Sequence, residues 1–190
     1  MKLLSLTAGC LLTTASFAGE PHSLDDSHHH EAHAHVHGEA ALTLVLEDGE
    51  LHIQLYSPAY NITGFEHEPT DEGERATVNI AAHRLRQLDT LIELPKDANC
   101  QLNSVKVNSS LLEDDHAGHN HDHDDLDKSA HHADFYVDYE LSCKDTSKLN
   151  GITVKMFKQF RAVEKTKVEW VIEGKQGAAV TTPESAKVNF

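Results

Sequence analysis

Apolar and polar residues alternate with a period of two in several short stretches, the signature of strands that bury one face. Leu42, Leu44 and Leu46 share a parity with Val36, whereas His33, His35, His37, Thr43 and Val45 share the other. A strand that starts early would therefore project three imidazoles from one face. Glu47-Asp48-Gly49-Glu50 reads as a turn, and Leu51, Ile53 and Leu55 then alternate with His52, Gln54 and Tyr56, which completes a β-hairpin. Cys100 to Val107 is β-prone. Phe135, Val137, Tyr139 and Leu141 alternate with Tyr136, Asp138, Glu140 and Ser142 in the clearest strand of the chain. Val168, Trp170 and Ile172 predict another, turned by Gly174-Lys175-Gln176-Gly177 and paired with Ala178 to Thr181.

Helical spacing is rarer. Thr70 or Asp71 can cap a stripe of Val78, Ala82, Leu85, Leu88 and Ile92 that Pro95 stops. Leu149, Ile152, Met156, Phe157 and Phe160 suit a short helix, although the run Ile152-Thr153-Val154 is β-prone. Ser57-Pro58-Ala59 ends the second strand, and Asn61 to Pro69 reads as a loop that gathers Glu66, His67 and Glu68. Strands outnumber helices and most are joined by hairpins. The expected architecture is a single α+β domain over residues 33–190, with helices packed on an antiparallel sheet.

Composition changes the picture at one place above all. Asp114 to His132 carries His116, His119, His121, His123, His131 and His132 among aspartates and almost nothing apolar, so residues 113–133 are expected to form a disordered His/Asp-rich loop. A second block, His28 to His37, closes a flexible His-rich N-terminus over residues 19–32 and runs into the first strand. Of 190 residues, 16 are His, 31 acidic and 16 basic; the formal charge of −15 disfavours nucleic acid and anionic membrane surfaces and favours cations.

Residues 1–18 have one charge at Lys2, an apolar run from Leu3 to Leu12 and Ser16-Phe17-Ala18 as a small-x-small site, which predicts a signal peptide cleaved near Ala18. Cys10 raises a lipoprotein alternative, weakened by Thr7 where lipidation signals carry Leu. No later run approaches the ~20 apolar residues of a membrane span, so no membrane insertion is expected. Beyond the signal, Cys100 and Cys143 remain. In an oxidising compartment this even pair reads as one disulfide; a pair of thiolate metal ligands is the alternative, without Cys-x-x-Cys spacing to support it.

Imidazole and carboxylate are donor types that zinc, nickel and copper(II) accept. The candidate ordered site is His33, His35 and His37 with His67 and Glu66 from the following loop, and the candidate collecting site is the six histidines of the Asp114 to His132 loop. His52 and His83 read as surface residues. No motif of a zinc protease, serine hydrolase or nucleotide enzyme appears, so the chain is expected not to be an enzyme.

Several motifs together carry a resemblance: His33-Ala34-His35-Val36-His37-Gly38, Ser57-Pro58-Ala59, Gly64-Phe65-Glu66-His67-Glu68-Pro69, Cys100, the central His-rich loop and Phe157-x-x-Phe160. In this combination the chain resembles the ZrgA-type periplasmic zinc-uptake proteins. That resemblance implies capture of Zn2+ in the periplasm of a Gram-negative bacterium and delivery to an inner-membrane ABC-type zinc transporter. Two other readings use the same donors: a periplasmic buffer or chaperone against excess zinc, nickel or copper, and a secreted zinc metalloenzyme.

Overall fold

The first strand, β1 (Glu39–Glu47), buries Ala40, Leu42, Leu44 and Leu46 and turns Ala41, Thr43 and Val45 outward. Asp48 and Gly49 both take left-handed φ, the requirement of a two-residue hairpin turn, and β2 (Glu50–Pro58) returns in register with Glu47 opposite Glu50. This hairpin is the centre of a six-stranded sheet in the computed structural model, which describes residues 36–112 and 133–190. All of these lie in one compact unit, Ala34–Phe190. Residues 1–35, and with them the expected signal peptide, the His-rich N-terminus, His33 and His35, lie outside the described residues. So do residues 113–132, which hold His116, His119, His121, His123, His131 and His132.

Two more hairpins flank the first. On one side β4 (Cys100–Asn108) pairs with β5 (Asp134–Cys143), and β5 pairs with β2. On the other, β7 (Lys165–Ile172) pairs with β1 and β8 (Lys175–Thr181) completes the order β4-β5-β2-β1-β7-β8. The β1–β7 pair is parallel, so the expected wholly antiparallel sheet is corrected to a mixed one. The reason is travel: β5 ends beside the Asp48–Gly49 turn, where Cys143 N donates to Gly49 O, and residues 144–164 carry the chain back before β7 begins beside the start of β1. Parallel neighbours require such a crossover.

Part of that return path is itself a strand. β6 (Gly151–Val154) lies between β3 (Ile92–Glu93) and β9 (Lys187–Asn189) in a second, three-stranded sheet. The helix expected over Leu149 to Phe160 is therefore reduced to a 3-10 turn at Met156–Lys158, because the β-branched run Ile152-Thr153-Val154 finds partners on both edges. Ile92, Ile152, Val154 and Val188 share one apolar cluster with the inner faces of β1, β2, β5 and β7. The protein is mostly β-sheet with few helices, in a single domain, as the excess of strands over helices predicts.

Three helices occur among the described residues: α1 (Ala59–Thr63), α2 (Glu72–Leu85) and α3 (Leu88–Leu91). The Asp71 carboxylate accepts from Glu74 N at 2.9 Å and caps α2, with Glu72 and Glu74 in the first turn and His83 and Arg84 in the last, as the helix dipole favours. The helix ends at Leu85 rather than before Pro95. In a continuing helix the Leu85 carbonyl would accept from Asp89; here it accepts the Tyr139 hydroxyl, and Gln87 leaves helical dihedrals. The stripe persists through Leu88 into Ile92, which is buried from a strand.

Cys100 and Cys143 face each other across β4 and β5 and are bridged, Cα atoms 3.9 Å apart and 43 residues apart in sequence. The bridge closes the hairpin at the end opposite the loop that joins its strands. Replacing both cysteines by serine is expected to lower unfolding free energy by about 2–4 kcal/mol in urea titrations, and an unchanged midpoint would show the bridge is energetically idle.

The expected turn at Gly174 to Gly177 is also shifted. Glu173 and Gly174 make it alone, and Gly177 lies within β8 opposite Trp170. A Cβ at Gly177 would fall 2.3 Å from the indole Cζ2, so only glycine lets the ring lie there. Gly177→Val is expected to displace Trp170, the one tryptophan of the chain, and to cost about 1–3 kcal/mol, read from the fluorescence-monitored urea midpoint.

Candidate functional site

His37 is not in β1. Val36 to Glu39 forms a turn closed by Glu39 N donating to Val36 O at 3.1 Å, and Gly38 takes φ +85, which breaks any extended run arriving from His33. The expectation that His33, His35 and His37 project from one strand face is corrected at His37. Its ring instead stacks on Tyr60 of α1, centroids 4.3 Å apart and planes 12° apart, and its Nε2 lies 3.0 Å from Glu66 Oε1.

Glu66 reaches this position because α1 is a single turn with an abrupt exit. Gly64, at φ +91, caps it by donating to Tyr60 O, and the Thr63 hydroxyl lies within reach of the Ala59 and Phe65 carbonyls at 3.0 and 2.9 Å, donating to either. The His37 side chain is 53% exposed and that of Glu66 12%. The pair therefore joins a sheltered oxygen donor to an accessible nitrogen donor.

His67 goes elsewhere. Its ring lies against Phe65, its Nδ1 is 2.9 Å from the Glu68 carbonyl, to which it donates, and its Nε2 faces Glu74 Oε1 at 3.8 Å. The Glu74 carboxylate is anchored by the Thr70 amide and hydroxyl at 2.7 and 2.9 Å, which hold its pKa below the usual carboxylate value. A depressed carboxyl stabilises the fold above its unfolded pKa, and this contribution fades as pH falls through the folded one. The structure thus brings His37 and Glu66 together and pairs His67 with Glu74. Among the described residues no three His, Cys, Asp or Glu side chains form a metal-holding group.

Residues that the sequence did not single out surround the pair. Tyr56 donates to Asp134 at 3.2 Å, and burial, then the Asp134 and Glu66 charges, push its phenol up, so it stays a neutral donor. Tyr136 tilts against it, centroids 5.2 Å apart. Glu39, next to the His37 turn, is bound by Lys165 and Lys167 at 2.6 and 2.7 Å, and these hydrogen bonds hold its carboxyl down. His52 is exposed on the outer face opposite Glu140, and His83 is exposed on α2 beside Gln87.

Topology places the His37–Glu66 pair, Tyr56, Tyr136, Asp134 and Glu39 at one end of the six-stranded sheet, with His52 towards the other. β1 and β5 begin there, β2 and β4 end there, and Ala59 N donates to Ala133 O at 2.8 Å across the junction. The described chain starts at Val36, leaves beyond Leu112 and resumes at Ala133, so both histidine-bearing segments attach at this end. The bridged cysteines are not available as ligands.

An imidazole nitrogen and a carboxylate oxygen can become two of the four ligands of a tetrahedral zinc ion. Zn–N and Zn–O bonds of about 2.0–2.2 Å put two such ligands roughly 3.3 Å apart, so the 3.0 Å contact would open by only a few tenths of an ångström as the ion replaced the shared proton.

A nitrogen and an oxygen donor held at one end of a disulfide-closed β scaffold are the donor types of proteins that handle divalent metal ions. The chain belongs to the ZrgA family: the family described as ZrgA family zinc uptake protein matches residues 34–190. No curated protein matches it. The match spans the whole described unit and carries a zinc-related role with it. No helix among the described residues is long and apolar enough to cross a membrane.

Chelator competition is expected to find the tightest zinc-binding event weakened about 10-fold or more by His37→Ala and by Glu66→Ala, and unmoved by His52→Ala or His83→Ala. Equal effects of all four substitutions would remove the His37–Glu66 pair from the site.

Proposed function

We propose that this protein captures zinc in the periplasm and delivers it to an inner-membrane ABC-type uptake system. The observation that carries this reading is the His37–Glu66 pair, standing where both histidine-bearing segments join a sheet that belongs to a zinc uptake family. The histidines His116, His119, His121, His123, His131 and His132 act as labile collectors, because closely spaced imidazoles and carboxylates offer several overlapping donor sets rather than one. The paired donors retain one ion, with His33 or His35 as candidates for the remaining positions. The chain's charge of −15 concentrates cations around both.

Delivery requires that the ion leave. A half-exposed imidazole is open to ligand exchange with an acceptor protein, whereas a closed four-ligand cage holds its ion as structure. The role is therefore transport rather than catalysis, with zinc as cargo, and secretion through the signal at residues 1–18 supplies the compartment. Buffering against excess metal would use the same donors. Loss of the protein is expected to slow growth under zinc limitation, with rescue by added zinc; a defect confined to zinc excess would favour buffering.

Deleting Asp114 to His132 is expected to remove much of the bound zinc per chain, measured calorimetrically, while the circular dichroism spectrum and the tightest event persist. Imidazole binds zinc only when neutral and has a reference pKa of about 6.5, so zinc affinity of the deleted protein should fall steeply between about pH 7 and 5.5. A flat profile would show that carboxylates alone retain the ion.

A further inference from the structure

We infer that Asn61 is the residue that positions His37, and that α1 is a clamp holding the imidazole towards Glu66; this rests on the zinc reading of that pair. Asn61 is a polar side chain only 2% exposed. Its Oδ1 accepts from Gly38 N at 2.8 Å, while its Nδ2 donates to the Glu39 carbonyl at 2.8 Å and to Ser57 Oγ at 3.2 Å. The amide thus holds the first and the third of the peptides that follow His37.

The register of β1 and β2 explains why a side chain is needed there. Ala41 pairs with Tyr56, and continuing that register places Pro58 opposite Glu39. Proline has no N–H, so β2 has nothing to donate to the Glu39 carbonyl. The Asn61 amide, three residues on, fills the gap with one donor and one acceptor in one plane, as a strand peptide would. A carboxylate at this position would offer acceptors only.

Tyr60 and Asn61 divide the work. Asn61 faces inward and fixes the backbone of the turn, while Tyr60, 42% exposed, lies flat against the His37 ring. With backbone and ring plane both set, Nε2 has little freedom except to face Glu66. Holding a ligand before the ion arrives removes the cost of ordering it on binding, and loss of such supporting contacts typically lowers metal affinity about 10–100-fold.

The test compares the full chain with His37→Ala, Asn61→Ala, Tyr60→Leu and the double substitution of His37 and Asn61. Zinc affinity is read by chelator competition, and the His37 ring protons by NMR without metal. Asn61→Ala is expected to weaken the tightest zinc event about 10-fold and to move the His37 signals as the Tyr60 ring current is lost. Added to His37→Ala it should change affinity by less than about 2-fold, since both act through one side chain.

If Asn61→Ala folds yet leaves the His37 signals in place, or weakens zinc equally with and without His37, Asn61 is only structural and the inference falls alone. If His37→Ala itself leaves zinc affinity unchanged, the zinc reading of the pair falls and takes the inference with it. Should Asn61→Ala fail to fold, Tyr60→Leu, which leaves the buried hydrogen bonds intact, decides: shifted His37 signals with weaker zinc binding support the clamp, and neither change overturns it.

Discussion

Three parts of the chain meet at the Gly38 peptide. Its N–H is taken by Asn61 of α1, and its carbonyl accepts from Glu164 N at 2.8 Å and Lys165 N at 3.0 Å, where β7 begins. The left-handed φ of Gly38 sets the angle at which the chain enters β1 and thereby turns His37 out of the sheet. A side chain at this position would meet both an unfavourable backbone region and the Glu164 carboxylate, 3.2 Å from the place a Cβ would take. One glycine therefore couples the start of two parallel strands to the direction of the site histidine.

The parallel pair has a consequence for the site. Because β1 and β7 start side by side, Lys165 and Lys167 stand beside Glu39 and bind its carboxylate. The carboxylate nearest to His37 in sequence beyond the turn is thus neutralised, and the oxygen donor comes instead from Glu66, 29 residues away. Charge alone could not have selected between them. The selection follows from topology, through which strand lies next to β1.

The hairpins were legible in the sequence because each has a buried face, and a period of two admits only one choice of face. The β1–β2 hairpin with its turn and the β5 strand are legible on those grounds, whereas the bridged cysteines follow from compartment and an even cysteine count, and Asp71 is one of two candidate caps. The parallel pairing could not, since alternation says nothing about which strands become neighbours. The break at Leu85 was hidden because a buried stripe at helical spacing continues into β3, and only the Tyr139 hydroxyl reveals why the helix stops. At the site, Glu66 was visible as a polar residue in a loop, but Tyr60 and Asn61 resembled ordinary loop residues. Proline at position 58 was the available sign: a strand ending in a residue without N–H leaves its neighbour's carbonyl to be satisfied by something else.

The division of burial within the donor pair bears on what kind of zinc protein this is. A sheltered carboxylate next to a neutral, partly buried tyrosine keeps negative charge in a poorly solvated place, where attraction to a cation is stronger than at the open surface. The imidazole, stacked on one face and open on the other, controls access to that charge. On the proposed zinc reading, entry and exit of an ion would pass through a side chain next to backbone held by Asn61 rather than by other metal ligands. If the pair holds zinc as proposed, such a site would be ordered before the ion arrives and after it leaves, which would separate transfer of the ion from folding of the protein.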